Sequence, residues 1–199
     1  MGNPTHAQDM YSILAGTASD VSMLIDYLPS FLFPNDEHEI TDWGVMGVSL
    51  GGHSAWLCLQ NGTSLHVLNL LTIDDRISWG CPIIGCPSYI DLMEYRLHGS
   101  KLPVSPPHLP GSFRRLLDRV DPGSHFRRTG EIPSTLKKKN ILVLSGERDP
   151  VVPWSASDAF VSRLQKESST VEVQVIPGVG HEYHPIMRER FSRWFQQFI

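Results

Sequence analysis

Four short apolar runs constrain this chain more than any other feature. They are WGVMGV from Trp43 to Val48, the stretch from Ile77 to Ile84, NILVLS from Asn140 to Ser145, and VEVQVI from Val171 to Ile176. Each has strand length, and the third is apolar almost throughout. Helical patterns lie between and around them, at His53 to Leu59, Trp154 to Lys166 and Pro185 to Ile199. The last of these gathers Met187, Phe191, Trp194, Phe195 and Phe198 on one face. An earlier helix opens after Pro4, where Thr5-x-x-Gln8 reads as a capping box. Val21, Leu24, Ile25 and Leu28 at i, i+3, i+4 and i+7 carry it to about Tyr27. Pro29 and Pro34 are expected to close this helix, and Gly16 to mark a break in it. Strands alternating with helices predict an α/β fold with a mostly parallel sheet.

The length of 199 residues suits one well-buried domain, taken as residues 1–199. A net charge of -4 gives no electrostatic case for nucleic acid or an anionic membrane. No apolar run reaches the ~18 residues of a membrane span. Met1 to Asp9 is too polar for the apolar core of a signal peptide. The three cysteines, Cys58, Cys81 and Cys86, are too sparse for a disulfide framework, and they predict reduced thiols in a cytoplasmic protein. Asn61-Gly62-Thr63 has the form of a glycosylation site, but without a secretion signal it reads as a turn. His66 to Ile73 is apolar, and periodicity does not decide between helix and strand. Leu97 to Lys139 is rich in Pro, Gly, Arg and Lys, with one helical signal at Phe113 to Val120. Residues 87–139 are therefore expected to form an irregular, lid-like insertion.

Gly47-Val48-Ser49-Leu50-Gly51 is a G-x-S-x-G match between the first strand and a helix. A serine hydroxyl is a poor nucleophile unless a base lies within hydrogen-bond reach and a third group orients that base. A tight strand-to-helix turn holds the serine up, and it predicts that Gly47 and Gly51 are needed where a Cβ would clash. Asp149, in GERDPVVP, follows the third strand. His181, in GVGHEYHP, follows the fourth. In a parallel sheet, residues that follow strands reach the same edge as Ser49. Asp91 is a rival acid and His184 a rival base. His181-x-x-His184 lacks the further ligands of a metal site, and none is expected. His53 is expected to pack or to line the mouth, Cys81 and Cys86 to be small core residues, and Tyr89 and Met93 to line the pocket. Arg114, Arg115, Arg127, Arg128 and Lys137 to Lys139 read as a solvated basic face.

The segments GVSLGGH (47–53), GERDPVVP (146–153) and GVGHEYHP (178–185) resemble the α/β-hydrolase family, in its short-lidded esterase or peptidase-like form. The resemblance implies Ser49 as nucleophile, Asp149 as acid and His181 as base, with the Leu50 backbone N–H as an oxyanion donor. It implies no cofactor and a small-molecule acyl substrate. It covers about strands 5 to 8 of the family's sheet, so the domain reads as N-terminally incomplete. No residue matches the family's second oxyanion donor. WGVMGV is expected at a sheet edge, open to a second copy of the chain or a completing chain. The last helix is expected to cover one sheet face nearly alone. Two functions follow as expectations. One is hydrolysis of an ester, thioester or amide through an acyl-enzyme on Ser49; the other is a truncated, non-catalytic hydrolase-like protein that binds a partner.

Overall fold

The computed structural model describes residues 3–60 and 76–199. The readings placed on Asn61-Gly62-Thr63 and on His66 to Ile73 lie outside those residues. In chain order the elements are α1 (His6–Leu32), β1 (Trp43–Val48), α2 (Leu50–Gln60), β2 (Ile77–Ile83), α3 (Tyr89–Gly99), α4 (Gly111–Val120), α5 (Pro122–Thr129), β3 (Asn140–Gly146), α6 (Asp158–Glu167), β4 (Val171–Ile176) and α7 (Pro185–Phe195). Short 3-10 turns precede β3 and α6 and follow α7.

The four strands pair in parallel in the order β1-β2-β3-β4. Each new strand adds on the same side, and parallel crossovers are right-handed, so the connecting helices collect on one face. That face carries α1 to α6 over a core that includes Ile141 and Val143 of β3. The other face carries α7 and its following turn, over Cys81, Ile83, Leu142 and Leu144. Alternate residues from Ile141 to Leu144 thus enter two different cores, which is why those four are all apolar. On the α7 side, Trp79 stacks on Phe198 at 5.2 Å and meets Trp194 edge-on at 5.9 Å. Trp79 lies across Gly44, where a Cβ would come within 1.9 Å of the indole.

Among the described residues no strand pairs with the outer edge of β1. Met46, on that strand, is 44% exposed, and Leu24 and Phe31 of α1 are 58% and 78% exposed. No helix among the described residues is long and apolar enough to cross a membrane.

Several local expectations need correction. α1 is unbroken at Gly16 and runs past Pro29 to Leu32. Pro29 lies so close to the helix end that its missing N–H removes one bond, and Phe33 N–H still donates to Pro29 O at 2.8 Å. The capping box does not form. The Thr5 hydroxyl bonds Asn3 and Asp9, and Gln8 Nε2 donates instead to Pro107 O at 3.3 Å. The buried row of α1 is Ala7, Tyr11, Leu14, Ala18 and Ile25, so Leu24, one residue and about 100° away, faces outward.

The stretch expected to be irregular holds ordered helices. Asp121 caps α5 by accepting from Ser124 N at 2.9 Å, Pro122 occupies its first position, and Gly130 ends it at φ 74°. These cap signals stand in the sequence, inside a stretch whose composition is otherwise that of a loop.

Candidate active site

The bend between β1 and α2 is one residue long. Ser49 occupies it at φ 54°, a left-handed conformation that costs a non-glycine residue about 1–2 kcal/mol. Its N–H donates to Ile83 O at 2.9 Å, which ties the turn to the end of β2. Ile84, next along, is also left-handed at φ 44°, and its N–H donates to Leu144 O at 2.7 Å. Strained residues therefore stand side by side where two strands end.

The glycines divide differently from expectation. A Cβ on Gly47 would lie 2.1 Å from Gly51 O, so Gly47 is required. A Cβ on Gly51 would meet nothing within 4 Å. The crowded residue is Gly52, whose Cβ would fall 2.6 Å from Ile83 O and 3.0 Å from Gly85 Cα. The first turn of α2 lies against the backbone leaving β2, and it is the Gly52 side of that turn that makes the contact.

The structure brings Ser49, His181 and Asp149 together at the C-terminal edge of the sheet. Ser49 Oγ lies 2.8 Å from His181 Nε2, and His181 Nδ1 lies 2.7 Å from Asp149 Oδ2. Asp149 Oδ1 accepts the Val151 and Val152 N–H groups, each at 2.8 Å. The Asp149 side chain is wholly buried and that of His181 is 22% exposed. A carboxylate only accepts, so Nδ1 carries the proton and Nε2 presents its lone pair to the Ser49 hydroxyl. The loops bearing Asp149 and His181 are joined through their backbones. Arg148 N donates to Val179 O at 2.9 Å, and a Cβ on Gly146 would lie 2.5 Å from Gly180 O. Leu50 opens α2, so its N–H lies outside the helical ladder beside Ser49.

The rivals are engaged elsewhere. Asp91 accepts from Ser88 and pairs with Arg127 at 3.0 Å. His184 caps α7, accepting from Ile186 N at 3.3 Å. Met93 lines a surface cleft, whereas Tyr89 is core, its hydroxyl donating to Ala7 O at 2.7 Å. All three cysteines are buried, and burial pushes the Cys86 thiol up to about 12. Arg114, Arg127 and Lys137 of the basic stretch pair with acidic side chains.

His53, one turn after Ser49, supports the site from beneath. Its Nδ1 accepts the Cys86 N–H at 2.9 Å, fixing the backbone that leaves β2. Its i+4 spacing from Ser49 is visible in the sequence, but the partner is 33 residues away. Burial lowers the His53 pKa from 6.5 to about 4. Between those values the unfolded chain binds the proton and the folded chain does not, so stability falls as pH drops from 6.5 toward 4. The full effect is about 3 kcal/mol. Urea unfolding across this range should show that loss, and His53→Asn should flatten it; parallel curves for the two proteins would contradict the assignment.

The sequence pattern of the prolyl oligopeptidase family matches residues 115–199, which is under half of the chain and includes Asp149 and His181 but not Ser49. No curated protein matches the sequence. Among solved structures, the Pyrococcus furiosus esterase Pf2001 is similar at 16% identity and a TM-score of 0.53, over 91% of this chain and 63% of that one. An acylaminoacyl peptidase from Pyrococcus horikoshii is similar at 16% identity and a TM-score of 0.58, over 87% of this chain and 26% of that one. SOBER1 of Arabidopsis thaliana is similar at 17% identity and a TM-score of 0.51, over 94% of this chain and 64% of that one. The chain thus spans less than two thirds of the length of these relatives. Its four parallel strands with flanking helices are those of the α/β-hydrolase fold, and its C-terminal part is similar to the prolyl oligopeptidase family.

Proposed function

We propose that the chain is a serine hydrolase acting on an ester, thioester or amide through an acyl-enzyme on Ser49. The observation that supports this reading is the unbroken chain from Asp149 through His181 to Ser49, with links of 2.7 and 2.8 Å. Ser49 Oγ attacks the carbonyl carbon while His181 Nε2 takes its proton. The imidazolium then protonates the leaving group, and water repeats the sequence to free the acid. Asp149 holds the ring and stabilises its charged form. The Leu50 N–H donates to the developing oxyanion. The chemistry calls for no metal or organic cofactor.

A fluorophosphonate probe tests the reading directly, because it phosphonylates an activated serine and the adduct maps by mass to the Ser49 peptide. Asp149→Asn should lower kcat on an activated ester by about 10⁴, because an amide that donates to Nδ1 reverses the tautomer. An Asp149→Asn variant at full rate would remove Asp149 from the mechanism.

A further inference from the structure

Arg96, on α3, is half-buried and donates to a backbone carbonyl rather than to a carboxylate. Elsewhere around α3, Arg114 pairs with Glu94 at 2.9 Å, and Arg127 pairs with Asp91 and Glu94 at 3.0 and 2.9 Å. Arg96 lies two residues beyond Glu94 on α3, yet no carboxylate among the described residues pairs with it. Its Nε and Nη2 both donate to Val151 O, at 3.3 and 3.1 Å, and Nη1 points at Met10 Sδ at 3.6 Å. A guanidinium has five N–H donors. Those contacts account for three, so two remain, one on each terminal nitrogen. A pair of that kind matches a carboxylate or phosphate edge.

Arg96 lines a cleft of about 490 Å³, within the size range of small-molecule sites. Met93 and Leu102 give it apolar wall, His6 and His108 add polar edges, and Pro150 closes it next to Asp149. Among the described residues no Asp or Glu lines it. Asp149 acts on Arg96 through space, but its own oxygens are taken by His181, Val151 and Val152. An unpaired cation in a partly apolar cleft attracts an anion more strongly than one in open water.

We propose that this cleft binds a small ligand bearing an oxyanion, carboxylate or phosphate, through the Arg96 guanidinium. Capture there requires no turnover at Ser49. Calorimetry with succinate and with inorganic phosphate, at low ionic strength, tests it on the wild-type chain and on Ser49→Ala. Saturable one-site binding of at least one anion, equal in the two proteins, is expected, and the anion that binds names the chemistry. Gly99 lines the cleft, and a Cβ there meets nothing within 4 Å. Gly99→Asp therefore sets a rival carboxylate beside Arg96 without disturbing its bonds to Val151. It should weaken binding about tenfold or more while Gly99→Asn, of the same shape, keeps it. Arg96→Gln should lose it as well. Absence of saturable binding by either anion overturns the proposal. So does equal binding by the two Gly99 variants, or binding that disappears in Ser49→Ala. Fluorophosphonate labelling is read separately, so a chain that binds the anion but resists the probe separates the two conclusions.

Discussion

Ser49→Ala should abolish labelling by a fluorophosphonate probe and lower ester hydrolysis by about 10⁶, the order seen when the nucleophile is removed from a serine protease. The size of the loss comes from geometry. Ser49 Oγ is the hydroxyl that faces His181 Nε2, at 2.8 Å, and the imidazole is locked behind it by Asp149. Removing the oxygen leaves the base with nothing to activate except water. Alanine tolerates φ 54° no better than serine does, so the unfolding midpoint should barely move. Equal labelling of the variant and the wild type would place the reactive serine elsewhere and defeat the proposed mechanism.

The second large effect is structural, and it reverses a simple reading of the motif. Gly52→Ala should destabilise the chain by about 3 kcal/mol, at the upper end of what overpacking costs. Its new methyl group would fall 2.6 Å from Ile83 O, on backbone that has no rotamer to change. That same backbone receives the Ser49 N–H, so activity should fall with stability. Gly51→Ala should be neutral or stabilising by up to about 1 kcal/mol, because its Cβ enters open space at the start of a helix. Urea midpoints of the two variants decide the matter. A Gly51→Ala protein less stable than Gly52→Ala would show that the elbow packs differently.

The contrast between these glycines shows where a local pattern stops being informative. G-x-S-x-G names Gly51 through its spacing, but crowding depends on which side of α2 faces the end of β2, far along the chain at Ile83. His53 is similar: its role rests on the N–H of Cys86. Arg96 is not marked in the sequence, because a lone arginine on a helix is ordinary. It stands out only when its bonds to Val151 and its place in the cleft are known.

What the sequence determined by itself was the alternation of four strands with helices, and the order Ser49, Asp149, His181 at three strand ends. Strand and helix periods are properties of neighbouring residues, and a parallel sheet brings strand ends to one edge, so both were legible without coordinates. The tertiary structure alone decided the sequential strand order, the gathering of α1 to α6 on one face and α7 on the other, and the ordered helices inside residues 87–139. It also decided that Ser49, His181 and Asp149 meet at bonding distance, and that Gly52, His53 and Arg96 carry weight. Those outcomes depend on contacts between residues far apart in the chain, and no period or spacing within one segment encodes which distant surface it will meet.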